Sequence, residues 1–121
     1  MSKKTIVLCT AICIFINCYC FAQETGIIVN GTIKEINGIL IGDTINTLSI
    51  LIKEKPGIEY YITTYTAKKY GLLKTAKINM SNFDKQNLSR WKGNQIILTV
   101  DNDGTEKKPF YSITSLKLIK D

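Results

Sequence analysis

The chain has 121 residues and a formal net charge of +6, and it contains no histidine. Its four cysteines all fall within the first 20 residues, so the rest of the chain has neither His nor Cys. A Ser-His or Cys-His nucleophile system cannot be built there, and zinc, copper or haem would lose their usual ligands. The basic residues are spread rather than clustered, so nucleic acid is not expected as a partner. Composition therefore predicts a protein that is not an enzyme and holds no cofactor or metal.

Residues 1–22 have the layout of a secretory signal peptide. Two lysines near the start precede an almost wholly apolar run, and Ala22 is a small residue at the predicted cleavage point. The apolar run is at the lower limit for crossing a bilayer, and no basic cluster follows it as a stop. We therefore predict cleavage rather than retention as a membrane anchor, and no membrane span afterwards. The Phe-Ala-Gln ending resembles bacterial cleavage sites, so we predict a periplasmic or secreted protein with one domain over residues 23–121.

The first half of that domain is predicted to form strands separated by turns. Residues 26–41 contain two Asn-Gly pairs, at 30–31 and 37–38, which predict a hairpin turn or bulge and then a second break. Residues 47–53 are rich in β-branched side chains and predict a central strand. A Lys-Pro-Gly turn then leads into another strand over residues 58–65.

The second half is predicted to contain one short helix and two more strands. Residues 67–80 are ambiguous, because lysines and leucines that suit a helix are interrupted by a glycine. Ser81 or Asn82 can cap a short helix that runs to Trp91, where a glycine follows as terminator. We expect Trp91 to pack this helix on the sheet. The last predicted strands are residues 95–100 and 110–119.

The segment LSRWKGNQIILTV (residues 88–100), followed by YSITSL (residues 111–116), resembles the closing half of an OB-fold. In that superfamily a helix between strands three and four often leads through a glycine into strand four, and a turn leads into strand five. The resemblance implies a mainly β fold, a small five-stranded OB-like barrel with one short helix before the fourth strand. A small α+β meander would give similar spacing and is the alternative. OB-folds bind oligonucleotides, oligosaccharides or proteins, so the likeness leaves the ligand open.

A run of aromatic and basic residues is the first candidate for a ligand-binding face. Such rings can stack on bases or sugars, and the cations can hold phosphate or carboxylate groups. Successive strand residues point to opposite faces, so one of Tyr60 and Tyr61 is expected in the core and the other outside. Ordinary strand packing with surface lysines is the competing interpretation. The predicted ligand-binding residues are Tyr60, Tyr65, Lys68 and Lys69.

Two acidic patterns carry weaker predictions. Residues 101–106 place acids at alternate positions with a glycine, as in a calcium loop, but the distal ligand is missing. A solvated hairpin turn is therefore the favoured interpretation. Glu54 and Glu59 flank the Pro-Gly turn and could form a catalytic carboxylate pair, although neighbouring lysines make surface ion pairing the better explanation.

These observations favour an exported, non-enzymatic binding module that recognises a protein or a cell-envelope glycan. An inhibitor or immunity-type protein, which covers the site of an enzyme, is the nearest alternative. A carboxylate-based envelope enzyme is a more distant one. A structural subunit joined through an exposed strand edge is the remaining hypothesis.

Overall fold

The chain forms five β-strands that close into a barrel. The structure is a computed structural model and describes residues 24–86 and 88–119. The strands are β1 (Glu24–Ile41), β2 (Thr44–Ile52), β3 (Glu59–Thr63), β4 (Gln95–Asn102) and β5 (Tyr111–Leu118). Around the barrel they run in the order β1-β2-β3-β5-β4. The β3–β5 pair is parallel and the other neighbours are antiparallel.

The connection between β3 and β4 carries the helical part of the fold. It contains α1 (Thr64–Lys69), α2 (Met80–Phe83) and two 3-10 turns, Asp84–Gln86 and Leu88–Trp91. The predicted five-stranded barrel with a short helix before β4 is thus confirmed, and the closed mixed barrel is consistent with an OB-like fold. The predicted signal peptide, residues 1–22, lies outside the described residues.

The predicted breaks in the first strand are wrong, because β1 is continuous through both Asn-Gly pairs. Its first part pairs with β4 and its second part pairs with β2, so β1 bends around the barrel. A Cβ atom on Gly31 would lie 2.1 Å from Cγ2 of Ile52. Gly31 therefore serves a close approach between strands and not a turn.

The predicted strand over residues 58–65 ends early, since α1 begins at Thr64. The side-chain oxygen of Thr63 accepts the backbone N–H of Thr66 and caps the helix. Tyr65 consequently lies on α1 and not on a strand. The same helix occupies the start of the segment whose conformation the sequence left ambiguous.

The predicted cap at Ser81 or Asn82 is also wrong. Asn79 is the N-cap of α2, and its side chain accepts the N–H of Asn82 at 3.1 Å. The side chain of Asn82 accepts the N–H of Asn79 at 2.8 Å, which completes a capping box. The helix therefore starts earlier than predicted and continues as two 3-10 turns towards Trp91.

Alternate side chains of the strands fill the barrel, as the period of two requires. Trp91 is partly buried against this core, as expected from the sequence. Within residues 24–86 and 88–119, no helix is long and apolar enough to cross a membrane. The side chains with no exposed surface are Ile45, Leu48, Ile50, Ala67, Ile96, Leu98 and Val100.

Candidate functional site

The outer surface of β2, β3 and the start of β5 carries a group of polar and aromatic side chains. Ser49 pairs with Tyr61 across β2 and β3, and Tyr61 pairs with Ser112 on β5. The flanking strand residues are buried inside the barrel, so this row faces outward. We call the group the central patch and define it as Ser49, Glu59, Tyr61, Phe110 and Ser112.

Two hydroxyl groups hold the carboxylate of Glu59 in place. Ser49 Oγ donates to Oε2 of Glu59 at 2.9 Å, and Tyr61 Oη donates to Oε1 at 2.9 Å. Ser49 is only 1% exposed although it faces outward, so it supports the site from below. The hydrogen bond to Glu59 raises the pKa of Tyr61, with smaller contributions from burial and from the negative charge of Glu59. Tyr61 therefore remains a protonated donor at neutral pH.

The ring of Phe110 stacks on the ring of Tyr61. The two centroids lie 4.8 Å apart and the planes differ by 6°. Phe110 stays 46% exposed, because the Tyr61 ring covers it on one side only. Such ring pairs contribute about 0.5–1.5 kcal/mol beyond the area they bury. The pair is thus a fixed aromatic surface beside a fixed carboxylate.

The loop between β4 and β5 (residues 103–110) positions Phe110. The buried side chain of Asn102 accepts the backbone N–H of Gly104 at 3.0 Å and that of Phe110 at 3.1 Å. A Cβ on Gly104 would lie 2.3 Å from the carbonyl oxygen of Lys108, so the loop folds tightly on itself. These contacts fix the backbone at Phe110 and thereby position its aromatic ring.

The two aspartates in and just before this loop accept hydrogen bonds from neighbouring strands. Asp101 accepts the backbone N–H of Gly26 at 2.9 Å, and Asp103 accepts Ser112 Oγ at 2.6 Å. Among the described residues, no group of three or more His, Cys, Asp or Glu side chains could hold a metal ion. The favoured interpretation of residues 101–106 as a hairpin turn is confirmed by the antiparallel β4–β5 pair.

A pocket of about 210 Å³ opens beside the central patch. Glu59 and Tyr61 lie on one side of it, and the turn before β3, the end of the β4–β5 loop and the first residue of β5 form the rest. A second pocket, of about 250 Å³, lies beyond Ile58 and Tyr111, which line both pockets. The residues that line the first pocket are Gly57, Ile58, Glu59, Tyr61, Pro109 and Tyr111.

The structure brings three of the four predicted ligand-binding residues together. Tyr65 is 73% exposed on α1, and Lys68 and Lys69 follow on the same helix at spacings that share one face. Tyr60 is elsewhere: it is 3% exposed, points into the barrel and lines the second pocket. Burial raises the pKa of Tyr60, and the nearby Tyr111 raises it further.

Glu54 and Glu59 do not form a carboxylate pair around one pocket. Glu54 accepts the backbone N–H of Thr32 at 2.7 Å and its hydroxyl at 3.0 Å. The first of these bonds is the main cause that lowers the pKa of Glu54 below its ordinary value of 4.5. Glu54 lines a pocket with Asn30 and Gln95, whereas Glu59 lines the pocket beside Tyr61.

Tyr61 belongs to the aromatic and basic run but not to the predicted ligand-binding residues, and the sequence gives no indication of Phe110. The period of two predicts that one tyrosine faces outward, and the burial of Ile62 decides that it is Tyr61. The position of Phe110 depends on the parallel β3–β5 pair, for which the local sequence carries no signal.

The chain matches no known protein family, no curated protein and no solved structure. The class of protein is therefore defined by its fold, a closed five-stranded β-barrel consistent with the OB-fold. OB-folds bind their ligands on the face of strands two and three, with help from the loop between strands four and five. In this barrel the central patch lies on the outer surface of β2 and β3, beside the β4–β5 loop.

Proposed function

We propose that the protein is an exported, non-enzymatic binding module that recognises a protein or a cell-envelope glycan through the central patch. The observation that carries this proposal is the Tyr61–Phe110 ring pair beside Glu59, whose carboxylate accepts hydrogen bonds from two hydroxyls. Aromatic side chains that are already ordered lose little conformational freedom when a ligand binds. Export is proposed from the sequence of residues 1–22.

The chemistry of the patch favours binding over catalysis. Ser49 donates a hydrogen bond to Glu59 but is only 1% exposed, so a substrate cannot reach its hydroxyl. The hydrogen bond to Glu59 raises the pKa of Tyr61, which keeps that hydroxyl protonated and poorly nucleophilic. A two-carboxylate mechanism needs both acids on one substrate, whereas Glu54 lines a different pocket. What the patch offers is a flat apolar surface and a fixed hydrogen-bond acceptor.

Affinity capture with matched variants tests this function. The immobilised full chain is exposed to envelope and secreted extract of the source cell, and retained proteins and glycans are identified. Phe110→Ala is expected to lose the specific ligand. Tyr65→Ala, which removes another exposed ring on α1, is the control and is expected to keep it.

The opposite result for the two variants would place the binding site on α1. If Tyr65→Ala loses the ligand and Phe110→Ala keeps it, the surface formed by Tyr65, Lys68 and Lys69 is the binding face. Turnover of an envelope substrate that Glu59→Gln abolishes would contradict the non-enzymatic part of the proposal. Circular dichroism of each variant separates loss of binding from loss of fold.

A further inference from the structure

We propose that the pocket beside the central patch receives a basic side chain of a partner protein, with arginine preferred over lysine. This inference rests on the proposed function, because it names the ligand class of the same site. Three features of the pocket carry it: its hydrogen-bonding character, its size and its charge.

The polar groups contributed by Glu59 and Tyr61 are acceptors. Each carboxylate oxygen of Glu59 accepts one hydroxyl, and a carboxylate oxygen has room for further hydrogen bonds. The Tyr61 proton is already engaged with Glu59, so its oxygen offers only acceptor capacity to a ligand. A guanidinium group has five N–H donors and no acceptor, which complements this arrangement. A sugar hydroxyl is both a donor and an acceptor. Glu59 and Tyr61 can accept a hydrogen bond from it but cannot donate one to it.

The size of the pocket favours a single side chain over a longer ligand. Its volume is about 210 Å³, below the roughly 300–1,000 Å³ of ordinary small-molecule sites. Tyr61, whose ring stacks on Phe110, lines the pocket, and such a ring is a surface on which a planar guanidinium can stack. Stacking of a cation on an aromatic face adds to affinity, and more so where water is excluded. These contacts are available to arginine and less so to the compact ammonium group of lysine.

The local charge of the pocket is opposite to the charge of the whole chain. The formal net charge of the chain is +6, whereas the charged side chain that lines this pocket, Glu59, is negative. No lysine or arginine is among its lining residues within the described part of the chain. A basic side chain therefore meets one fixed counter-charge there. A polyanionic ligand would find no cation in the pocket.

Titration with a capped Gly-Arg-Gly peptide, followed by amide NMR of the full chain, tests the inference. The peptide is expected to shift the resonances of Glu59, Tyr61 and Phe110. The same peptide with citrulline has nearly the same shape without the charge and is expected to bind at least about tenfold more weakly. Capped Gly-Lys-Gly is expected to lie between them, and methyl glucoside is expected to leave these resonances unchanged.

Two carboxylate variants supply the matched pair. Glu59→Gln keeps the shape of the side chain and is expected to abolish the preference for arginine over citrulline. Glu54→Gln changes a carboxylate that also accepts two hydrogen bonds but lines another pocket, and it is expected to keep that preference.

Several results would overturn the inference. Equal affinity for arginine and citrulline, no shift with either peptide, or binding of methyl glucoside in place of arginine would each contradict it. If neither peptide binds while Phe110→Ala still loses the ligand in affinity capture, the proposed binding module stands. Only the inference that its ligand is a basic side chain is then wrong. If capture also fails with Phe110 intact, the proposed function falls as well.

Discussion

The side-chain oxygen of Asn102, at the end of β4, accepts the backbone N–H of Phe110, the residue before β5, at 3.1 Å. The same oxygen accepts the N–H of Gly104, so one buried amide group fixes both ends of the β4–β5 loop. The Phe110 ring is held over Tyr61 as a result. The exposed aromatic surface of the site therefore depends on a polar contact beneath it.

Replacing Asn102 with Ala is expected to weaken both the fold and the site. Two partly buried backbone N–H groups lose their acceptor, which costs about 1–3 kcal/mol. Urea unfolding measures the free energy, and the amide resonance of Phe110 reports the order of the loop. Asn102→Asp keeps an acceptor for both N–H groups and is expected to lose less. Equal destabilisation by the two changes would show that the acceptor is not the reason.

Gly31→Ala is expected to destabilise the barrel by about 1–3 kcal/mol through overpacking. The added Cβ would lie 2.1 Å from Cγ2 of Ile52, a side chain with almost no exposed surface. Thermal or urea unfolding measures the loss. In an Ile52→Ala background that methyl group is absent, so the additional cost of Gly31→Ala should shrink. Full additivity of the two changes would contradict a direct clash.

Thr32→Val is expected to raise the pKa of Glu54 part of the way towards its ordinary value of 4.5. The change removes the hydroxyl donor and keeps the stronger backbone N–H donor. The pKa of Glu54 is lower in the folded than in the unfolded chain, so its contribution to stability is present above pH 4.5. It is lost as the pH falls through the folded-state pKa.

Carboxyl-carbon NMR measures this pKa directly. Thr32→Ser keeps a hydroxyl and is expected to retain a low pKa for Glu54. A pKa that does not change in Thr32→Val would mean that the hydroxyl contributes nothing.

Tyr61→Phe is expected to reduce the loss of stability at alkaline pH. The pKa of Tyr61 is raised above 10.0 in the fold, so its contribution is present below pH 10.0 and is lost as the pH rises through the folded-state pKa. The drop in unfolding free energy between about pH 9 and about pH 11 should therefore be smaller in Tyr61→Phe than in the wild-type chain.

A second variant checks the cause of that shift. Glu59→Gln removes the negative charge beside Tyr61 and is expected to move the pKa of Tyr61 back towards 10.0. Ultraviolet titration of tyrosinate follows it. An unchanged Tyr61 titration in Glu59→Gln would contradict the carboxylate of Glu59 as the main cause.

The barrel was largely predictable from the sequence, but the continuous path of β1 through its two Asn-Gly pairs was not. Strand positions follow from β-branched residues and the period of two, which the core at Ile50 and Leu98 satisfies. The prediction from the Asn-Gly pairs is wrong because a glycine, which favours a hairpin turn, also leaves room for a side chain of the neighbouring strand. A Cβ on Gly38 would lie 2.8 Å from Cδ1 of Ile45, which is a packing constraint that no local pattern reveals.

The candidate site was only partly predictable, for a related reason. The aromatic run contains Tyr61 of the central patch, and α1 places Tyr65 on one face with Lys68 and Lys69. The ring pair, however, joins residues from β3 and from the loop before β5. Tyr61 and Phe110 meet because β3 and β5 pair in parallel, a contact between distant parts of the chain. Local sequence patterns describe neighbours along the chain and cannot show such a pair.

The double pairing of β1 also has a consequence for how the chain folds. Its second half can form a hairpin with β2 as soon as both are made, whereas its first half must wait for β4. Ile28, exposed on that first half, pairs with Thr99 near the far end of the chain. Contacts of such long range form slowly, and an unpaired strand edge can meanwhile associate with other chains. Barrel closure at β1–β4 is therefore expected to be the late step of folding, and the one at which aggregation is the greatest hazard.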